Sequence, residues 1–289
     1  MRNIAHPLCG LLAALCLYAV TANAQTIQIL GSGFSFPEGI DVDGSGDVFV
    51  ADVNNSAIKR ILAAGGYVTT TTLVSGGNPD GIAVDGNGDL YVTDGNSSAV
   101  RKILAAGGYT TTIPLGSMFG YPFSIAVDGA GDVYVADLNA TSIRKVLAAG
   151  GYTTVVSLGS GLSSPAGIAV DSAGNLYVGD SGNNAVKQIL AAGGYTTINT
   201  IGSGFDRPNG VALDGYGNVY VADYGNNAVK RIVASSGYVT VDTVGGGFNS
   251  PTDVAVDAAG DVYVSDSGNN AIKKIFIGTP VTLQSFSID

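Results

Sequence analysis

The sequence predicts an all-β fold, a six-bladed β-propeller of four-stranded blades whose ring is closed by an N-terminal strand joining the last blade. Three observations predict it. One unit recurs six times, opening at Pro37, Pro79, Pro122, Pro165, Pro208 and Pro251, with a spacing of 42 residues once and 43 four times. Each unit holds short runs of Val, Ile, Tyr and Thr between turns of Gly, Asn and Asp, which reads as four strands per period, the content of a propeller blade. A segment ahead of the first unit copies the fourth strand of an internal one.

The elements follow in chain order. Residues 1–24 read as a cleaved signal peptide: a polar start with Arg2 and His6, an apolar run from Leu8 to Val20, and the small-residue site Ala22-Asn23-Ala24. The run is short for a membrane span, and no later segment is long and apolar enough for one. A secreted or periplasmic chain without membrane insertion is therefore expected. Cys9, Cys16 and His6, the only residues of their types, fall in this leader. A mature chain from Gln25 would have no disulfide, no thiol nucleophile, no Ser-His-Asp triad and no zinc site built on His or Cys.

The propeller is expected over residues 25–277. Thr26-Ile27-Gln28-Ile29-Leu30-Gly31 resembles Thr197-Ile198-Asn199-Thr200-Ile201-Gly202, and the likeness continues from Ser32-Gly33-Phe34 to Ser203-Gly204-Phe205. The last unit lacks a clear fourth strand after Ile272 to Phe276, so the N-terminal segment should supply it and leave no open edge. In the fifth unit, strands are expected at Gly210–Asp214, Val219–Ala222, Ala228–Val233 and Tyr238–Val244. Residues 278–289 break the pattern and form a tail without an assigned structure.

Charge narrows the partners. Of 13 basic residues Arg2 lies in the leader, so 12 face 23 acidic ones in the mature chain. A nucleic-acid backbone would be repelled by such a surface. A protein, a peptide, a glycan or a cation is the expected partner.

Residues that recur in every unit are read as scaffold. Asp43, Asp85, Asp128, Asp171, Asp214 and Asp257 enter glycine turns, whose amides an Asx side chain can accept. Asp52 and its equivalents end the second strand and should hold the Asn-rich loop. The basic residues of the third strands, such as Lys59-Arg60 and Lys230-Arg231, should pair with these carboxylates.

Residues that differ between units are the site candidates. Glu38, Asp80, Phe123, Ala166, Asn209 and Thr252 follow the opening prolines, in loops that reach one rim of a propeller's channel. Glu38 is the only Glu in the chain. Asp253 replaces a usual glycine, Asp41 an alanine kept in the other five units, and Arg207 is the one basic residue of the mature chain outside the third strands. Round the ring, the polar changes fall on blades five, six, one and two. Blades three and four carry Met118, Phe119, Tyr121, Phe123, Leu162 and Ala166. One side of the channel mouth should be acidic and the other apolar or aromatic.

The unit resembles the NHL-repeat family. The residues that carry the likeness are Pro165-Ala166-Gly167-Ile168-Ala169-Val170-Asp171, Gly174-Asn175-Leu176-Tyr177-Val178-Gly179-Asp180 and Gly182-Asn183-Asn184-Ala185-Val186. That resemblance implies six-bladed propellers that mostly bind other molecules. Pro37-Glu38-Gly39, Pro79-Asp80-Gly81 and Pro208-Asn209-Gly210 look like strand starts of the gluconolactonase/regucalcin family. This second likeness implies a divalent metal, Ca2+ or Mg2+, held by Glu38, Asp80 and Asn209 with Asp41 or Asp253, and lactone hydrolysis.

Two main functional readings follow. In the first, the chain is an exported, non-enzymatic binding or scaffold propeller, with Phe119, Tyr121 and Phe123 as a stacking surface and Arg207 as a further ligand-binding residue. In the other it is a metal-dependent lactonase-like or esterase-like hydrolase. A module of a surface array is the structural variant of the first.

Overall fold

A computed structural model describes residues 25–277. The leader with its cleavage site, and the tail from 278, lie outside the described residues. Twenty-four strands form six four-stranded antiparallel sheets, each sheet one blade of a ring. Five of the sheets are built from four consecutive strands of one repeat, as the period of 43 requires.

The blade sequences explain the strands. Each second strand, such as Val219–Asp223, is buried at every position because both faces of a blade lie against neighbouring blades. Its Val-Tyr-Val core therefore shows no alternation. The six innermost strands, Pro37–Val42, Ile82–Val84, Pro122–Val127, Pro165–Val170, Pro208–Leu213 and Pro251–Val256, line the central channel.

Close packing of these inner strands favours a glycine two residues after the opening proline in four of the six blades, Gly39, Gly81, Gly167 and Gly210. A Cβ on Gly39 would lie 2.6 Å from the Asp80 carbonyl oxygen, and one on Gly167 would lie 2.2 Å from that of Asn209. At these two positions a side chain would collide with the backbone of the next blade.

The ring closes as expected. The N-terminal strand Ile27–Leu30 pairs antiparallel with Ala271–Ile275 in the register Ile27 to Ile275 and Leu30 to Ile272. Leu30 is 1 % exposed and packs with Ile40, Ala255 and Ile272, which belong to blades one and six.

Fifth-blade boundaries differ at both ends. The first strand begins earlier, at Pro208, because Pro208 already faces Asp223 in the ladder. The fourth runs only from Val241 to Thr243. Tyr238 stands at φ 64°, in the turn, and its hydroxyl lies 3.0 Å from that of Tyr177 in the preceding blade. This tyrosine joins blades rather than extending a strand.

The recurrent carboxylates have the scaffold roles expected of them. Asp43 Oδ1 accepts from the Ser45 and Asp47 amides at 2.8 and 3.0 Å, and the five equivalents accept in the same way. Asp223 accepts from the Asp206 amide and from Asn226 Nδ2, and Lys230 Nζ lies 2.5 Å away. Lys59–Asp52 and Lys273–Asp266 repeat that arrangement at 2.6 and 2.5 Å.

Candidate functional site at the channel mouth

Loops preceding the inner strands surround one mouth of the channel. In four of the six loops the residue before the proline is left-handed. Phe36, Ser164, Arg207 and Ser250 take φ of 47–50°. In three of the four the amide is held by an Asn side chain of the preceding blade: Phe36 by Asn270, Arg207 by Asn184, and Ser250 by Asn227, at 2.7–2.8 Å. These bonds hold the entries of three inner strands, Pro37–Val42, Pro208–Leu213 and Pro251–Val256.

The mouth is a cavity of ≈ 260 Å³ whose lining includes Phe36, Phe123, Leu138 and Tyr224, together with Glu38, Ser181, Arg207 and Asn209. Below it the channel narrows to a neck of ≈ 10 Å³, about the least that admits one water. Glu38, Asp80 and Asp253 stand on one side of the neck, Phe123 and Ala166 on the other. The division into an acidic and an apolar side expected of the mouth does not describe its lining, where Phe36 and Tyr224 of blades one and five stand with Glu38, Arg207 and Asn209. Beneath the neck the channel body, ≈ 230 Å³, has aliphatic walls apart from Asp41, Asp253 and Ser124.

Of the expected binding residues, two reach the mouth. Phe123 lines both mouth and neck. Arg207 lines the mouth with its guanidinium carbon 4.9 Å from the centre of the Tyr224 ring, a cation–π contact. Tyr121 instead packs over Gly95, where an added Cβ would lie 2.4 Å from its ring. Burial, then the Asp80 carboxylate, raises its hydroxyl pKa.

Phe119 is not a stacking residue. It is 7 % exposed and packs in a core cluster with Leu115, Ile125 and Val146. The repeat explains why: Phe119 stands three residues before its proline, as do Phe34, Leu162, Phe205 and Phe248, and all five are buried. Phe36, Leu138, Ser181 and Tyr224 were missed as lining. Phe36 and Arg207 share one repeat position, a signal that could have drawn attention to Phe36. Leu138 and Tyr224 follow the recurrent second-strand Asp and differ between units, which is a signal of the same kind.

The five residues expected around a metal do not form a cage. Asp41 accepts from the Val42 and Val84 amides, both at 2.8 Å. Asp253 accepts from Val254 and Ile40 at 2.9 and 3.1 Å. Both carboxyls therefore strap one inner strand to the next. Asp80 accepts from the Gly95 amide at 2.5 Å and from Asn78 Nδ2 at 3.3 Å. Asn209 lines the mouth rather than the neck. Among the described residues, no three acidic or histidine side chains come together as metal ligands.

Burial disfavours the charged forms of carboxyls in the neck and in the channel below it. Burial, and then the Asp80 carboxylate, pushes Glu38 up to about 8, and Oε2 of Glu38 is buried without a hydrogen-bond partner. Burial likewise pushes Asp41 up to about 6 and Asp253 up to about 7, against the amides that favour their charged forms. A neutral Glu38 carboxyl can donate a hydrogen bond into the mouth at neutral pH.

The sequence model of the Virginiamycin B lyase family matches residues 20–275. A search of curated proteins returns no match. Solved structures share the fold at low identity. A streptogramin B lyase structure aligns with a TM-score of 0.64 at 16 % identity, covering 87 % of this chain and 97 % of the other. A gluconolactonase from Xanthomonas campestris aligns at 0.73 and 15 %, covering 87 % and 89 %. A Staphylococcus aureus virginiamycin B lyase with quinupristin, a histidine-to-alanine variant described as catalytically inactive, aligns at 0.59 and 15 %, covering 83 % and 80 %. The propeller implied by the NHL-like unit is the architecture found, while the family matched is the lyase family.

Proposed function

This chain belongs to the virginiamycin B lyase family, and from that premise we propose that it is an exported propeller that binds a ligand at its channel mouth without the family's lyase chemistry. The observation that carries the proposal is the mouth itself, where the aromatic side chains of Phe36, Phe123 and Tyr224 and the polar groups of Glu38, Arg207 and Asn209 line one cavity. Pockets of this make-up, apolar with a few convergent polar groups, suit a ligand that is part ring and part hydrogen-bonding edge. Replacing one histidine inactivates the solved lyase, and the single histidine of this sequence, His6, lies in the leader region. No imidazole stands in the described residues to take its place.

The test is binding on glycan and peptide arrays by mature protein starting at Gln25. Phe123→Ala and Tyr224→Ala should each weaken a captured ligand by about tenfold, the order expected for losing an aromatic contact. Unchanged affinity in both variants would remove the mouth as the site.

A second reading, a divalent-metal-dependent hydrolase, is favoured by one atom, the unpartnered Oε2 of Glu38 beside Asp80. The backbone straps made by Asp41 and Asp253 count against it. Calcium titration of the same protein separates the readings: calorimetric binding lost in Glu38→Gln would favour the hydrolase, and no binding would leave the ligand-binding reading.

A further inference from the structure

The mouth reading leaves one residue unexplained, and the following step rests on that reading. Arg207 is a lone cation at the opening of a chain of net charge −10. The other basic residues of the described part sit in third strands, most beside a carboxylate. Arg207 has only an exposed contact, 3.6 Å from its Nε to Asp206, with the two side chains 57 % and 50 % exposed. Such a pair contributes little to stability. The Asn184 side chain holds the Arg207 amide, and the Tyr224 ring supports its guanidinium. The side chain is thus positioned, and its terminal nitrogens can present a planar fork of donors to the cavity.

The remainder of the cavity sets the shape of what that fork could meet. At ≈ 260 Å³ it lies just below the usual range of about 300–1,000 Å³ for drug-sized ligands, so it suits a single substituted six-membered ring. Phe123 and Tyr224 offer faces for such a ring. Asn209 and Ser181 offer hydrogen bonds for hydroxyl groups.

We propose that the mouth recognises a monosaccharide-sized ring bearing a carboxylate, the carboxylate on Arg207 and the ring against Phe123 and Tyr224. A long-range field from an acidic protein repels anions. A local bidentate cation is therefore the feature that lets this surface select one.

Calorimetry with D-glucuronate and D-glucose, which differ in that carboxylate, tests the assignment. The mature protein should bind glucuronate at least about tenfold more tightly than glucose, the order of a charge-assisted bidentate contact. Arg207→Gln should bring glucuronate down to the glucose level, Arg207→Lys should retain part of the preference, and Phe123→Ala should weaken both sugars. Equal affinity for the two sugars in the wild type, a preference that survives Arg207→Gln, or no binding of either sugar would overturn the proposal. In each of those cases the mouth reading survives if an array ligand still depends on Phe123, and falls if none does.

Discussion

Single residues of one type diverge here according to what surrounds them. Asp43 and Asp223 have amides or a lysine in reach and act as scaffold. Asp41 and Asp253 sit in the channel wall on backbone amides, with burial opposing their charge. The phenylalanines divide in the same way. Phe119 fills the core between blades, whereas Phe123, four residues on, lines the mouth. Phe119→Ala should therefore cost about 3–5 kcal/mol in a urea titration while leaving ligand affinity unchanged. A loss of affinity without a loss of stability would return Phe119 to the site. Its burial was legible in advance, because four other units place Phe or Leu at the same offset from the proline. Local aromatic clustering around Tyr121 obscured that internal alignment.

At the level of the element, each blade depends on its neighbours. Inner-strand glycines let adjacent blades touch backbone to backbone, and the Tyr177–Tyr238 contact joins blades near their outer turns. The blade most dependent on chain topology is the sixth, completed by Ile27–Leu30 from the other end of the sequence. Removing residues 25–30 would strip Leu30 from the core and expose the edge of Ala271–Ile275. That should cost about 3–5 kcal/mol, a Tm fall of roughly 10 °C in a domain of this size. Association that grows with concentration should accompany it, as an open edge invites pairing. Differential scanning calorimetry and light scattering read both effects, and an unchanged Tm would refute the closure. This closure was readable because the N-terminal segment resembles the Thr197–Gly202 strand, with the same Thr-Ile start and the same Gly end. The start of the fourth strand in blade five was not, because Tyr238 stands in a left-handed turn and bonds Tyr177 of the previous blade.

For the whole molecule, the distribution of carboxylates sets the response to pH. Glu38, Asp41 and Asp253 are raised to about 8, 6 and 7 from ordinary values of 4.5, 3.8 and 3.8. Between those limits the native chain binds more protons than the unfolded one. Their contribution is therefore fully present at about pH 4 and is lost as pH rises through about 6 to 8. Carboxylates lowered by amides and lysine, such as Asp85 and Asp132, work in the opposite sense, and their stabilisation is lost only in more acidic solution. Stability should thus be greater near pH 5 than near pH 8. Asp41→Ala, the residue found in the other five units, should flatten that slope. Urea midpoints measured at the two pH values check both statements, and a midpoint that rises towards pH 8 would contradict them.

The amino-acid sequence by itself determined the number of blades, the four strands of each, the closure by the N-terminal strand and the scaffold roles of the recurrent Asp and Lys residues. These follow from period, strand propensity and turn chemistry, which are local and repeated six times over. Only the tertiary structure decided which variable residues share a space. It gathered Phe123, Arg207, Asn209 and Glu38 around one mouth with the unforeseen Phe36, Leu138 and Tyr224. It also turned Asp41 and Asp253 into straps between blades and left Glu38 facing Asp80 in a neck with room for one water. Which side chain faces the channel, a neighbouring amide or the core depends on how close the blades approach across the ring, a distance that no run of forty-three residues encodes alone.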